Sequence, residues 1–84
     1  RVLDLTYNEI EEIAGLESLK NLEEFEIAEN LLRDYSGLLV LKGLKYINII
    51  GDNHIQDERS KEILKKVREN NTDAVLLGFD WIDE

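Results

Sequence analysis

The fold class this 84-residue sequence predicts is α/β: a short right-handed solenoid with a parallel β-sheet on its concave face and a C-terminal helix-strand cap. Three observations carry that expectation. Residues 3–49 repeat at an interval of 22: Leu3, Leu5, Asn8, Ile10, Ile13, Leu16 and Leu19 return as Phe25, Ile27, Asn30, Leu32, Tyr35, Leu38 and Leu41. A third copy opens with Leu44, Ile47 and Ile49. After Ile55 the pattern stops, and a helix-forming segment is followed by an apolar run of strand length. Self-similarity at a fixed interval of roughly 20–50 residues marks units that cannot bury their apolar side alone and must stack to make a core.

The elements follow in order. Phe25-Glu26-Ile27 alternates apolar and polar, as a short strand with one buried face must. Asn8 and Asn30 fall where the chain leaves the strand, and an amide there can both donate to and accept from unpaired backbone groups. Stacked copies, with Asn53 as the third, predict a ladder joining neighbouring turns of the chain. Leu32, Tyr35, Leu38 and Leu41 then recur every three residues, which suits a 3₁₀-like return path better than an α-helix. In the third unit, a strict 22-residue interval puts Asp52 at the Asn position, whereas a shift of one restores Asn53 and Ile55. That predicts a one-residue bulge within residues 49–52, with Gly51 supplying the unusual angles.

Asp57 is the expected N-cap of a helix over 58–69, with Ile63, Leu64 and Val67 on one face and Glu62 four residues before Lys66. Asn70-Asn71-Thr72-Asp73 ends it. The run 74–79 is read as a fourth strand, reached by a right-handed crossover onto the same parallel sheet. Units 1–55 and 56–84 thus make one domain. With so few units the core is near the minimum, and Leu→Ala-type truncation at Leu5, Ile27 or Ile49 is expected to cost about 2–5 kcal/mol.

Tyr7-Asn8-Glu9-Ile10-Glu11-Glu12-Ile13-Ala14-Gly15-Leu16-Glu17-Ser18-Leu19-Lys20-Asn21-Leu22 resembles the 22-residue subclass of the leucine-rich repeat family, with its I-x-G-L-x-x-L-x-N-L core. That subclass includes internalin-like bacterial surface proteins and a eukaryotic phosphatase-regulator type. The resemblance runs to Ile55, with the first repeat truncated. It implies a non-catalytic module for protein–protein interaction on a concave sheet, with no cofactor and no particular partner.

The charge narrows the partner. Nineteen acids against ten bases give −9, unevenly placed. Residues 1–56 carry eleven acids and five bases, 57–69 four and five, and 70–84 four and none. Nucleic acid and anionic membranes are recognised through Lys and Arg, so both are poor matches. Membrane insertion is not expected either, because no run approaches the roughly 18 apolar residues of a spanning helix. The partner class left is a protein or peptide, basic or neutral. Without cysteine there is no disulfide framework and no thiolate, and cell-surface, secreted and cytoplasmic settings all stay open.

The residues between core positions of each strand are expected on the concave face. These are Asp4, Thr6 and Tyr7; Glu24, Glu26, Ala28 and Glu29; Tyr46, Asn48 and Ile50; and Asp80 and Trp81 of the closing strand. Acids among aromatics suit a binding face, since aromatic anchors dominate interface energies and charge steers encounter. An enzyme is not expected: His54 has no nucleophile motif beside it, and Glu24 and Glu26 read as solvated sheet acids. Nor is a metal site, because residues 52–58 fail the spacing of an EF-hand loop. The alternative function is structural. The chain begins inside its first strand motif, and a solenoid ordinarily starts with a cap, so a longer parent protein is expected. This piece would then close it, and its exposed first strand is a site for self-association.

Overall fold

The computed structural model describes residues 2–19, 21–51 and 57–83. Asn53, His54 and Ile55, and with them any shift that restores the Asn position of the third unit, lie outside the described residues. The chain is a small α/β protein. Strands β1 (Val2–Asp4), β2 (Glu24–Glu26), β3 (Tyr46–Asn48) and β4 (Val75–Leu77) form a parallel sheet in that spatial order, with one helix, α1 (Glu58–Asn70). Val2 pairs with Glu24, Glu24 with Tyr46 and Tyr46 with Val75. The first two steps are 22 residues and the last is 29, because α1 lengthens the final connection.

The strands are short, but the pairing runs on past them. Leu5 N–H donates to the Glu26 carbonyl at 2.8 Å, Ile27 N–H to Asn48 at 2.9 Å and Ile49 N–H to Leu77 at 2.9 Å. Alternation sends Phe25, Ile27, Ile47 and Ile49 into a filled interior. Opposite them lie the 3₁₀ segments Leu16–Ser18 and Ser36–Val40, as the three-residue spacing of Leu32, Tyr35, Leu38 and Leu41 requires. These return paths touch closely. Leu31 N–H donates to Ile10 at 3.0 Å, Arg33 N–H to Glu11 at 2.9 Å, and Gly37 lies against the Ile13 backbone so tightly that a Cβ would collide with its carbonyl group.

Helix α1 starts at Asp57, whose carboxylate accepts the Ser60 N–H at 2.8 Å. Ile63, Leu64 and Val67 join the core, and the helix packs on Ser36–Val40 and on a last 3₁₀ turn, Asp80–Asp83. Among the described residues its internal ion pair is Lys61 with Glu58 at 3.8 Å, rather than the expected Glu62 with Lys66. Beyond it Asn71 is buried and acts as a clamp. Its Oδ1 accepts the Leu44 N–H at 2.8 Å, and its Nδ2 donates to Leu41 at 3.0 Å and Val67 at 2.8 Å.

Four expectations need correction. The fourth strand covers only Val75–Leu77, because Gly78 takes φ of 90° and turns the chain into the 3₁₀ segment. Gly51 has the unusual angles expected of it, but no inserted residue precedes it, and an insertion beyond it lies outside the described residues. Tyr7 (φ 62°), Glu29 (φ 57°) and Gly51 (φ 87°) are left-handed residues spaced 22 apart, so the interval is unbroken to residue 51. Asn8 is exposed and, among the described residues, its side chain bonds only to the Leu5 and Thr6 carbonyls of its own turn, whereas Asn30 is buried and bridges neighbours. Leu19 is exposed although its counterpart Leu41 is buried. The last two share a cause: β1 borders one strand and not two, so Leu3, Leu5, Ile10 and Ile13 are also only half-buried.

Candidate functional site

A parallel sheet usually has both faces covered by its crossovers. Here the 3₁₀ segments and α1 contribute Leu16, Leu38, Leu64 and Ile82 to one core on the side of Phe25 and Ile47. The opposite face carries two rows of side chains set by the strand register. The first is Val2, Glu24, Tyr46 and Val75, and the second is Asp4, Glu26, Asn48 and Leu77. Past the strands Thr6, Ala28 and Ile50 continue it.

The geometry brings together five of the eight residues expected to bind a partner: Asp4, Glu24, Glu26, Tyr46 and Asn48. Tyr46 lies along its strand, its hydroxyl accepting from Asn48 Nδ2 at 3.4 Å, while Asn48 Oδ1 accepts the Ile50 N–H at 2.9 Å. Asp4 makes the same turn onto Thr6 N–H at 3.0 Å, and the Thr6 hydroxyl and backbone N–H hold its carboxyl below the usual range. Tyr7 and Glu29 occupy the left-handed turns at the ends of β1 and β2; Tyr7 is 80% exposed, and the Glu29 carboxylate lies beside Gly51.

Trp81 is not on this face. Its strand has already ended at Leu77, and the side chain is 9% exposed within the core. The indole Nε1 donates to the Gly78 carbonyl at 3.0 Å, and the ring lies 6.5 Å from that of Tyr35. Asp80, which starts the same 3₁₀ turn, leaves the face with it. Val75 and Leu77 take their place, paired with Tyr46 and Asn48. Period-two alternation within residues 74–79 could have found them, given the register of β4.

The face is therefore split. Asp4, Glu24 and Glu26 occupy β1 and β2 beside the exposed Val2, whereas Tyr46, Val75 and Leu77 belong to β3 and β4, with Ile50 just past β3. Val75 is 57% exposed and Ile50 46%. Elsewhere some of the acids have cationic partners: Arg33 with Glu11 at 3.3 Å, Lys45 with Glu23 at 3.2 Å, Arg59 with Asp34 at 3.4 Å and Arg68 with Asp83 at 2.8 Å. Among the described residues no ion pair or hydrogen bond engages the Glu24 or Glu26 side chain. No helix of the described residues is long and apolar enough to cross a membrane. Comparison of the chain with family models, curated proteins and solved structures finds no match.

Proposed function

We propose that this chain is a non-catalytic protein-interaction module of the leucine-rich repeat type, whose uncovered sheet face holds a protein or peptide partner. The carrying observation is the contrast between the two faces of one sheet. Phe25 and Ile47 are sealed in the core, while on the other face Glu24 and Glu26 have no ion pair among the described residues and Tyr46 and Val75 are accessible. Stability alone does not require apolar side chains on a solvated face, and exposed apolar patches rimmed by charge commonly serve recognition. The 22-residue register, the 3₁₀ returns and the closing helix with β4 support reading the fold as a short solenoid with a C-terminal cap.

The test compares partners retained by the wild type with those retained by a Glu24→Lys/Glu26→Lys/Tyr46→Ala triple whose circular dichroism is unchanged. A protein held by the first and lost by the second is the expected result. Identical sets refute the proposal.

One observation favours a second reading, that the β1 side stacks on further strands. Leu3, Leu5, Ile10 and Ile13 hold the positions that are sealed in the next unit, yet they remain half-exposed beside an unpaired strand edge. Concentration-dependent association abolished by Val2→Pro would support it, and a monomer at all concentrations would refute self-association.

A further inference from the structure

We propose that the partner of the sheet face is a bipartite segment, with a Lys/Arg cluster and an apolar or aromatic anchor offset by about three residues when it lies extended across the strands. The inference rests on the face being a binding surface, as proposed above, and adds the chemistry and spacing of what binds.

The spacing comes from the sheet itself. Neighbouring strands lie about 4.8 Å apart. The acids are centred between β1 and β2 and the larger apolar group, which leaves only Val2 on the acidic side, between β3 and β4, two strand spacings away, or about 10 Å. An extended chain advances about 3.3 Å per residue, so about three residues cover that distance. The in-register rows Val2–Glu24–Tyr46–Val75 and Asp4–Glu26–Asn48–Leu77 run straight across the strands, which gives a segment an unbroken line to follow.

The occupant's charge follows from what the face lacks. None of its row residues is Lys or Arg, and five cations of the return paths and helix, Arg33, Lys45, Arg59, Lys61 and Arg68, each hold an acid elsewhere. Among the described residues, therefore, Asp4, Glu24 and Glu26 form a negative group that no cation is paired with. A second copy of the chain, at −9, would bring like charge to it. A purely basic segment would leave Val75, Ile50, Tyr46 and Leu77 in water. A purely apolar one would leave the three carboxylates without partners and partly desolvated. Only a segment carrying both features satisfies both halves.

The experiment is selection of displayed random peptides, about twelve residues long so that they can cross all four strands, against the wild-type chain. Winners are then measured as synthetic peptides against wild type, Glu24→Lys/Glu26→Lys, and Val75→Asp. The last alters a side chain that is largely exposed, so folding is not at stake. The expected winners carry two or more Lys or Arg with an apolar residue about three positions away, in either chain direction. Each variant weakens them by ~tenfold or more, and only the basic half of the affinity is lost on raising salt. Winners that either variant abolishes but that lack the basic cluster or the offset overturn the bipartite inference and leave the binding face standing. Winners indifferent to both variants, no enrichment, or binding only to a second copy of the chain overturn the inference and the reading beneath it together.

Discussion

Replacing Asn30 by Ala removes only a few side-chain atoms but should unfasten two neighbouring turns of the chain. Asn30 Nδ2 donates to the carbonyls of Leu5 at 2.9 Å, Ile27 at 2.9 Å and Ala28 at 3.1 Å, and Oδ1 accepts the Ile10 N–H at 3.1 Å. Two of these acceptors keep another donor: Leu5 has Asn8 Nδ2 at 2.8 Å, and Ala28 has the Tyr7 N–H at 3.1 Å. The Ile27 carbonyl and the Ile10 N–H lose the bond described for them. At about 1–3 kcal/mol for each buried group left unsatisfied, with Ile10 partly open to water, the cost is about 2–4 kcal/mol. That is a large share of the 4–13 kcal/mol or so that a domain of this size commands. The assay is urea denaturation followed by the fluorescence of Trp81, the chain's single tryptophan, which unfolding would move from the core into water. Asn8→Ala is the control, because Asn8 occupies the corresponding sequence position but is exposed; it should cost under about 1 kcal/mol. Equal losses for the two, or an Asn30→Ala midpoint indistinguishable from wild type, would refute the assignment of Asn30 as the bridging residue.

Gly37→Ala should destabilise by about 1–3 kcal/mol or more, since its Cβ would meet Ile13 backbone and not a side chain able to swing aside; thermal melts check this. Leu76→Ala should cost about 2–5 kcal/mol, while Leu77→Ala, one residue on but across the sheet, should cost far less and act on binding instead. For acid stability, the Ser60 backbone N–H holds the Asp57 carboxyl below its ordinary value, the Ser36 backbone N–H does the same for Asp34, and Arg68 for Asp83. A depressed folded-state pKa contributes stability above the unfolded value of about 3.9 and loses it as pH falls through the lower folded value. Asp57→Asn keeps a capping side chain without the charge, so the wild type's advantage in melting temperature should be constant from pH 7 to about 5 and shrink below about 4.

The sequence made the sheet legible because each strand is tied to its neighbour by spacing. Leu3, Phe25 and Ile47 differ by 22 and are Cα partners in the sheet. Asp57 was legible because a carboxylate before a helix-forming run has one efficient use. Trp81 was not, since an apolar run says nothing of where its strand stops. Gly78 was a possible signal, and so was the three-residue spacing of Phe79 and Ile82, which matches that of Leu38 and Leu41 in a 3₁₀ return. Asn71 was hidden for a different reason. In Asn70-Asn71-Thr72-Asp73 every residue suits a turn, and only the three-dimensional approach of Leu41 and Leu44 selects the one that is buried.

The division of labour between the two faces bears on what this fold can tolerate. Stability is drawn from Phe25, Ile47 and their neighbours, from amide bridges at Asn30 and Asn71, and from close contact at Gly37, all on the interior or at the seams. The outer rows alternate with the inner ones, so Glu24 and Glu26 flank Phe25 without sharing its environment. Substitution in the outer rows therefore changes charge and apolar area with little effect on packing, because side chains on opposite faces of a strand seldom share partners. A face so insulated can be altered freely, and nothing in the core obliges it to hold Asp4, Glu24 and Glu26 beside Tyr46, Val75 and Leu77. That freedom bears on the proposal made above: where the fold does not dictate the residues, acids confined to β1 and β2 and apolar side chains weighted to β3 and β4 support a surface used for recognition, which variants at Glu24, Glu26 and Val75 test.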